Sequence, residues 1–175
     1  ILELQKKMAD YSDDFQVALH VELNMIRTAQ AIDILSTVQH KIHSLTLRKC
    51  NCVLKSKNRN RFSTFMAACI NMHTLTITEC NRLRNVIALG LERCASLHTL
   101  KLIKDDGLEN VAGLGGCKNL QTLDLAFCTE LNDVSGLAGC ENLQTLDLSA
   151  CRRLTGVSAL GLCHKLPTLD LNDCW

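Results

Sequence analysis

Two columns of cysteine set the ruler for this chain. From residue 117 it reads CKNLQTLDLAFCTELNDVSGLAG, then CENLQTLDLSACRRLTGVSALGL, then CHKLPTLDLNDCW. The step is 23 residues, from Leu120 to Leu143 to Leu166. One column holds Cys69, Cys94, Cys117, Cys140 and Cys163; the other holds Cys50, Cys80, Cys128, Cys151 and Cys174. Of the eleven cysteines, Cys52 alone falls on neither. A period of this length marks a solenoid, in which each copy packs only on its neighbours.

The iterated string is Leu-x-x-Leu-x-Leu-x-x-Cys, as in Leu120, Leu123, Leu125 and Cys128. It repeats at Leu143, Leu146, Leu148, Cys151 and at Leu166, Leu169, Leu171, Cys174. Earlier copies stretch the ruler. Leu97, Leu100 and Leu102 form one, with Asp105 in the cysteine position; Met72, Leu75, Ile77, Cys80 and Ile42, Leu45, Leu47, Cys50 form two more. The frame resembles the leucine-rich repeat in its cysteine-containing form. The short step and the Asp133-Val134-Ser135 turn resemble arrays in protozoan leucine-rich-repeat proteins. Residues 13–38 admit two readings. One is a degenerate seventh copy on Ala18, Val21, Leu23 and Ile26, continued by Ala29, Ile32, Leu35 and Val38. The other is an amphipathic capping helix begun at Ser12 or Asp13, because short apolar runs are ambiguous by period alone.

Leu-x-Leu is a short strand with one buried face, since side chains alternate across a strand. The return segment Leu131-x-x-Val134-x-x-Leu137 is apolar every third residue, which suits a 3-10 turn better than an α-helix. No copy can bury its own apolar face, so copies stack and share a core. The expected fold is an α/β solenoid. Its parallel sheet lines a concave face, and short helical, 3-10 or irregular segments form the convex one. Residues 1–14 are expected to flank an array over 15–175 that stops in mid-repeat. Both ends read as uncapped, which implies a longer chain or an assembly.

Composition narrows the function. Hydrophobic residues make up 47% of the chain, enough for a core, and the net charge near +1 argues against bulk capture of nucleic acid. No apolar run is long enough to span a membrane. The odd cysteine count, the repeat-locked spacing and the lack of an Asn-x-Ser/Thr sequon favour reduced, buried thiols in a cytoplasmic, reducing compartment. In the turn column the thiols are placed to satisfy backbone groups of adjacent repeats. Cys52, beside basic residues, is a surface thiol by this reading. No phosphate loop, His-Glu-x-x-His or Gly-x-Ser-x-Gly is present, so neither enzyme chemistry, cofactor nor metal is expected.

Two surfaces are candidates for binding. The first lies between the leucines on the concave face. One column reads Ser44, Thr74, Thr99, Thr122, Thr145, Thr168; the next reads Thr46, Thr76, Lys101, Asp124, Asp147, Asp170. With Arg48, Lys49 and Lys104 near the start and Asp173 at the end, this face shifts from basic to acidic. Neighbouring carboxylates at strand spacing repel by roughly 1 kcal/mol in water. On that ground Asp147→Ala should stabilise the free array slightly; the retained aspartates read either as solvated charges of a common Leu-Asp-Leu repeat or as a site for a basic partner. The second candidate is the run RKCNCVLKSKNRNR at 48–61, read as a loop. Its Arg48, Lys49, Lys55, Lys57, Arg59 and Arg61 would grip an acidic protein, or less readily RNA. His43, His73 and His98 share a column and form a third, weaker candidate, a pH-sensitive strip.

The resemblance implies a non-enzymatic protein–protein interaction scaffold. Two alternatives remain: a subunit of a larger assembly, such as a ribonucleoprotein, docked through 48–61, and the substrate-recognition arm of a ubiquitin ligase. The register makes one prediction at once. Leu146→Ala should lower the unfolding free energy by about 2–5 kcal/mol in urea titration, because Leu146 must be core if Asp147 is not.

Overall fold

The structure is a computed structural model and describes residues 19–24, 30–51 and 56–174. The proposed flank 1–14, Cys52 and Lys55 lie outside these residues. Seven parallel strands form one open sheet in chain order. They are β1 (Leu19–Asn24), β2 (Ile42–Arg48), β3 (Thr74–Thr78), β4 (Thr99–Ile103), β5 (Thr122–Asp124), β6 (Thr145–Asp147) and β7 (Thr168–Asp170). Each Leu-x-Leu pairs in register with the next: Leu45 with Leu75, Leu75 with Leu100, Leu100 with Leu123, Leu123 with Leu146.

Residues 19–24 form a strand. β1 sets Val21 opposite Leu45 and Leu23 opposite Leu47. A single helix through 13–38 does not fit this pairing; helix α1 spans Gln30–Ser36.

The return segments are 3-10 turns where the step is 23 residues, as at Ser135–Gly139 and Ser158–Leu162. Few residues are available there, and the tighter helix covers the distance with apolar side chains every third position. The run at 48–61 departs from expectation. β2 continues to Arg48, but Ser56–Ala68 is an α-helix, α2, rather than a loop. The extra length of this repeat (30 residues from Ile42 to Met72) is wound into that helix. Phe62, Phe65, Met66 and Cys69 are all buried, at the i, i+3, i+4, i+7 spacing of one helical face. The basic residues and asparagines that suggested a loop occupy its first half.

The core is a continuous stack. Leu45, Leu75, Leu100, Leu123 and Leu146 are fully buried, as are Leu102, Leu125 and Leu148. The last strand differs: Leu169 and Leu171 are 41% and 42% exposed, with no described repeat beyond them. Strands repeat at about 4.8 Å while a helix is about 10 Å across. Elements on the outer side therefore need more room than the strands, and the sheet becomes the concave face.

Both cysteine columns are buried, apart from the half-buried Cys174, and none of these thiols is paired in a disulfide. They donate across the repeat boundary. Cys94 Sγ bonds the Met66 carbonyl at 3.2 Å, and Cys140 Sγ that of Leu114 at 3.4 Å. In the turn column Cys128 reaches Leu102 at 2.9 Å, Cys151 reaches Leu125 at 3.2 Å and Cys174 reaches Leu148 at 2.9 Å. Burial pushes the Cys69, Cys117, Cys140 and Cys151 thiols up to about 12, which keeps them protonated donors.

The convex turns touch backbone to backbone. A Cβ on Gly136 would stand 2.3 Å from the Val111 carbonyl oxygen, whereas one on Gly161 would meet nothing within 4 Å. Gly136→Ala should therefore destabilise the array by about 1–3 kcal/mol. Gly161→Ala should leave it unchanged or slightly more stable. Paired urea titrations of the two variants check this.

Candidate interaction face

The concave columns are in register as expected. Thr76 faces Lys101, Lys101 faces Asp124, Asp124 faces Asp147 and Asp147 faces Asp170. All five remain partly exposed; the first four lie between buried apolar residues, and Asp170 lies between the exposed Leu169 and Leu171. The aspartates do more than line the face. Asp124 Oδ1 accepts the Ala126 N–H at 3.2 Å, Asp147 Oδ1 that of Ser149 at 2.8 Å, and Asp170 Oδ1 that of Asn172 at 2.9 Å. Each caps the turn that ends its own strand. This reverses the expectation for Asp147→Ala, because alanine would orphan the Ser149 N–H as well as remove a charge. The second carboxylate oxygen of each has no hydrogen bond among the described residues.

The turns hold a feature that the sequence did not disclose. Lys49, Glu79, Lys104, Phe127, Ala150 and Asp173 each precede the turn-column residue, and each has a left-handed backbone, φ +54° to +61°. Glycine or asparagine is the usual occupant of this region, and other residues pay roughly 1 kcal/mol or more. None of the six is glycine, so the usual marker of such a turn was missing. Their side chains form a ridge along the strand ends. Glu79 bonds Arg48 Nε at 3.0 Å and Lys49 Nζ at 3.2 Å. The bond from Lys49, then that from Arg48, holds the Glu79 carboxyl below its ordinary value against partial desolvation. Lys104 Nζ sits 5.6 Å above the Phe127 ring, which is 49% exposed. Arg48, Lys49, Glu79, Asn81, Lys104 and Asp106 line an open cleft of about 600 Å³.

The six cations of 48–61 do not act as one patch where their side chains are described. Arg48 and Lys49 end β2 and turn to Glu79 on the concave edge. Arg61, on α2, pairs with Asp33 of α1 on the convex side. Lys57 and Arg59 belong to the backbone of α2. Asp173 sits on the ridge, beyond the aspartate column. The histidine column is a packed stack. Ring centroids are 5.4 Å apart from His43 to His73 and from His73 to His98, with planes 11° and 13° apart. Nδ1 of His43 and of His98 lies on a backbone carbonyl, at 2.9 and 2.5 Å, and must carry the proton there. Among the described residues no group of three His, Cys, Asp or Glu side chains is placed to hold a metal, and no helix is long and apolar enough to cross a membrane.

A family profile described as leucine-rich repeats in two copies matches residues 118–161. Residues 118–161 are leucine-rich repeats. The ladder carries their frame through all seven strands, so the whole array has the leucine-rich-repeat fold. No curated protein matches the chain in sequence. Solved structures with similar architecture include the leucine-rich-repeat ectodomain of the receptor kinase SOBIR1 from Arabidopsis thaliana. That likeness has 16% identity and a TM-score of 0.45, and covers 63% of this chain and 60% of that one. Two internalins of Listeria monocytogenes also align. InlF has 14% identity and a TM-score of 0.47, over 94% of this chain and 48% of that one. InlC2 has 20% identity and a TM-score of 0.38, over 75% and 62%. The chain spans less than two thirds of the length of each. At such distances they say nothing about what this leucine-rich-repeat array binds.

Asp105 interrupts the turn column of thiols. It is fully buried; Oδ1 accepts the Gly107 N–H at 3.3 Å, and Oδ2 has no partner among the described residues. Its place in the column is where Cys128 and Cys151 donate to the previous repeat, so a protonated carboxyl is the better substitute for a thiol. Burial, with a further push from Asp106, raises it from 3.8 to about 7 despite the Gly107 bond. The folded state thus holds this proton more tightly than the unfolded chain. Its contribution is whole below the unfolded value and falls as pH rises, until it is lost above about 7. The wild type should lose roughly 2–3 kcal/mol between about pH 5 and pH 8 relative to Asp105→Cys, whose thiol stays protonated throughout. Urea midpoints of both proteins across this range check it.

Proposed function

We propose that this chain is a non-enzymatic scaffold that recognises a protein partner on its concave sheet. The observation that carries the reading is the in-register column Thr46, Thr76, Lys101, Asp124, Asp147, Asp170. Six paired strands, β2 to β7, hold these side chains on a regular, partly exposed lattice. Recognition side chains on a regular element are held more closely than side chains on a loop. The acidic end, Asp124, Asp147, Asp170 and Asp173, meets a basic stretch of the partner. Lys101, with Arg48 and Lys49 at the edge, meets an acidic one. Such a gradient fixes orientation and speeds encounter more than it adds affinity.

Docking of a larger assembly through 48–61 has less support. Arg48 and Lys49 turn to Glu79 at the edge of the sheet while Arg61 turns to Asp33 on the other face, so the described cations of this run make no single patch. RNA is disfavoured for the same reason, and because stacking rings are scarce.

The test uses the geometry of the caps. Asparagine keeps the Oδ1 acceptor but loses the charge. A variant with Asp124, Asp147 and Asp170 changed to Asn should therefore fold as the wild type does. In a pull-down from native extract it should lose a basic partner, with affinity for the isolated partner reduced at least about tenfold. Unchanged affinity for every retained protein would remove the aspartate column from the binding face. A second variant, with Lys55, Lys57, Arg59 and Arg61 changed to Ser, separates docking through α2 from recognition by the sheet.

A further inference from the structure

We propose that the cleft at the ends of β2–β4, together with the Phe127 ring beside it, receives an acidic segment of the partner. A carboxylate of that segment sits against Lys49 and Lys104, and an adjacent apolar side chain lies on Phe127. The inference rests on the protein-recognition reading above and names the edge of the face and the chemistry it selects.

The first support is what the ridge carries against the preference of its own backbone. Six successive turns require a left-handed residue, and glycine would fit each without penalty. Ala150 is small. The first four positions instead hold Lys49, Glu79, Lys104 and Phe127. A bulky ring at φ +61° is an outlier. The internal contacts of these side chains are exposed ion pairs and one cation–π contact, which stabilise a fold only weakly. Turn stability does not account for their size; contact with something outside the chain does.

The second support is the cleft itself. Glu79 is held by Arg48 and Lys49, and Asp106 accepts the Thr129 hydroxyl at 3.1 Å. Lys104 has no carboxylate partner among the described residues and faces the same space, with the Asn81 amide. Around the cleft Arg48, Lys49 and Lys104 stand against Glu79 and Asp106, an excess of one positive charge, and Lys104 is the cation without a carboxylate partner among the described residues. Beside it lies Phe127, exposed where the other described phenylalanines, Phe62 and Phe65, are 1% and 2% exposed. An aromatic anchor next to a cation is the composition of an interface hot spot.

The third support is selectivity against a polyphosphate. Glu79 and Asp106 line the cleft and would repel a string of phosphates. A single exposed ring offers no succession of stacking platforms. A single carboxylate carries less charge than a phosphate string and so meets less of this repulsion, and an apolar side chain beside it needs only the one ring.

The experiment is fluorescence anisotropy with four labelled probes: a short peptide mixing Asp and Glu with Leu and Phe, a glutamate–glycine peptide, a lysine–leucine peptide and a short single-stranded RNA. The proteins are the wild type, Lys104→Gln, Lys104→Gly and Phe127→Gly. The acidic–apolar peptide should bind best. Each variant should weaken it at least about tenfold. The two glycine variants should melt at or above the wild-type temperature, since glycine suits their backbone. Binding lost while stability holds is the split that a merely structural ridge would not give. Glycine variants that melt lower and bind unchanged would overturn the proposal. So would glutamate–glycine or RNA binding as tightly as the mixed peptide. If no peptide binds but the aspartate variant still loses its partner in the pull-down, this cleft is refuted and the sheet face stands. If the cleft variants lose the peptide while the aspartate variant keeps every partner, the aspartate column falls and the cleft stands.

Discussion

Every part of this array depends on one constraint: a single repeat exposes its leucines unless another repeat covers them. Leu123 is buried because Leu100 and Leu146 lie on either side of it in the sheet. The same pairing leaves Leu169 and Leu171 half open where no described neighbour follows. Hydrophobic stacking alone does not fix which residue faces which. The polar contacts across each boundary do that. Thiols of two columns bond carbonyls of the previous copy, and Asn119 and Asn142 side chains bond the Ala95 and Lys118 carbonyls at 2.8 Å. Cysteine suits this place because it is small, apolar and still a weak donor.

On the concave face the residues proposed for recognition also have structural work. Asp124, Asp147 and Asp170 form a ladder of like charge, yet each carboxylate satisfies a turn N–H. One oxygen of each serves the fold, and the proposed recognition would fall to the other. The ridge beside them has the opposite character. Lys104 and Phe127 occupy backbone positions that disfavour them, so their identity reflects the outward surface more than the fold. Asp105 is a third case, a carboxyl in a place made for a thiol, where burial ties stability to proton binding.

The leucine and cysteine spacing made the solenoid, the strand register and the 3-10 character of the short return segments legible. Each follows from a local rule: period two in a strand, period three in a tight turn, and burial shared between copies. The burial of the column cysteines was legible for the same reason. Helix α2 was not, because basic residues and asparagine at 55–61 resembled a loop, while the helical spacing of Phe62, Phe65, Met66 and Cys69 begins only afterwards.

By itself, then, the sequence determined the fold and the columns of residues on the concave face, since a strict repeat puts equivalent residues at equivalent places. Only the tertiary structure decided how those columns interact. It alone showed that Lys49, Glu79, Lys104 and Phe127 share a left-handed turn position, that Lys49 bonds Glu79 and that Lys104 lies over Phe127. It sent Arg61 to Asp33 on the other side, away from Arg48. The physical reason is that side-chain direction depends on the backbone conformation at the turn. A left-handed residue that is not glycine leaves no mark in the sequence.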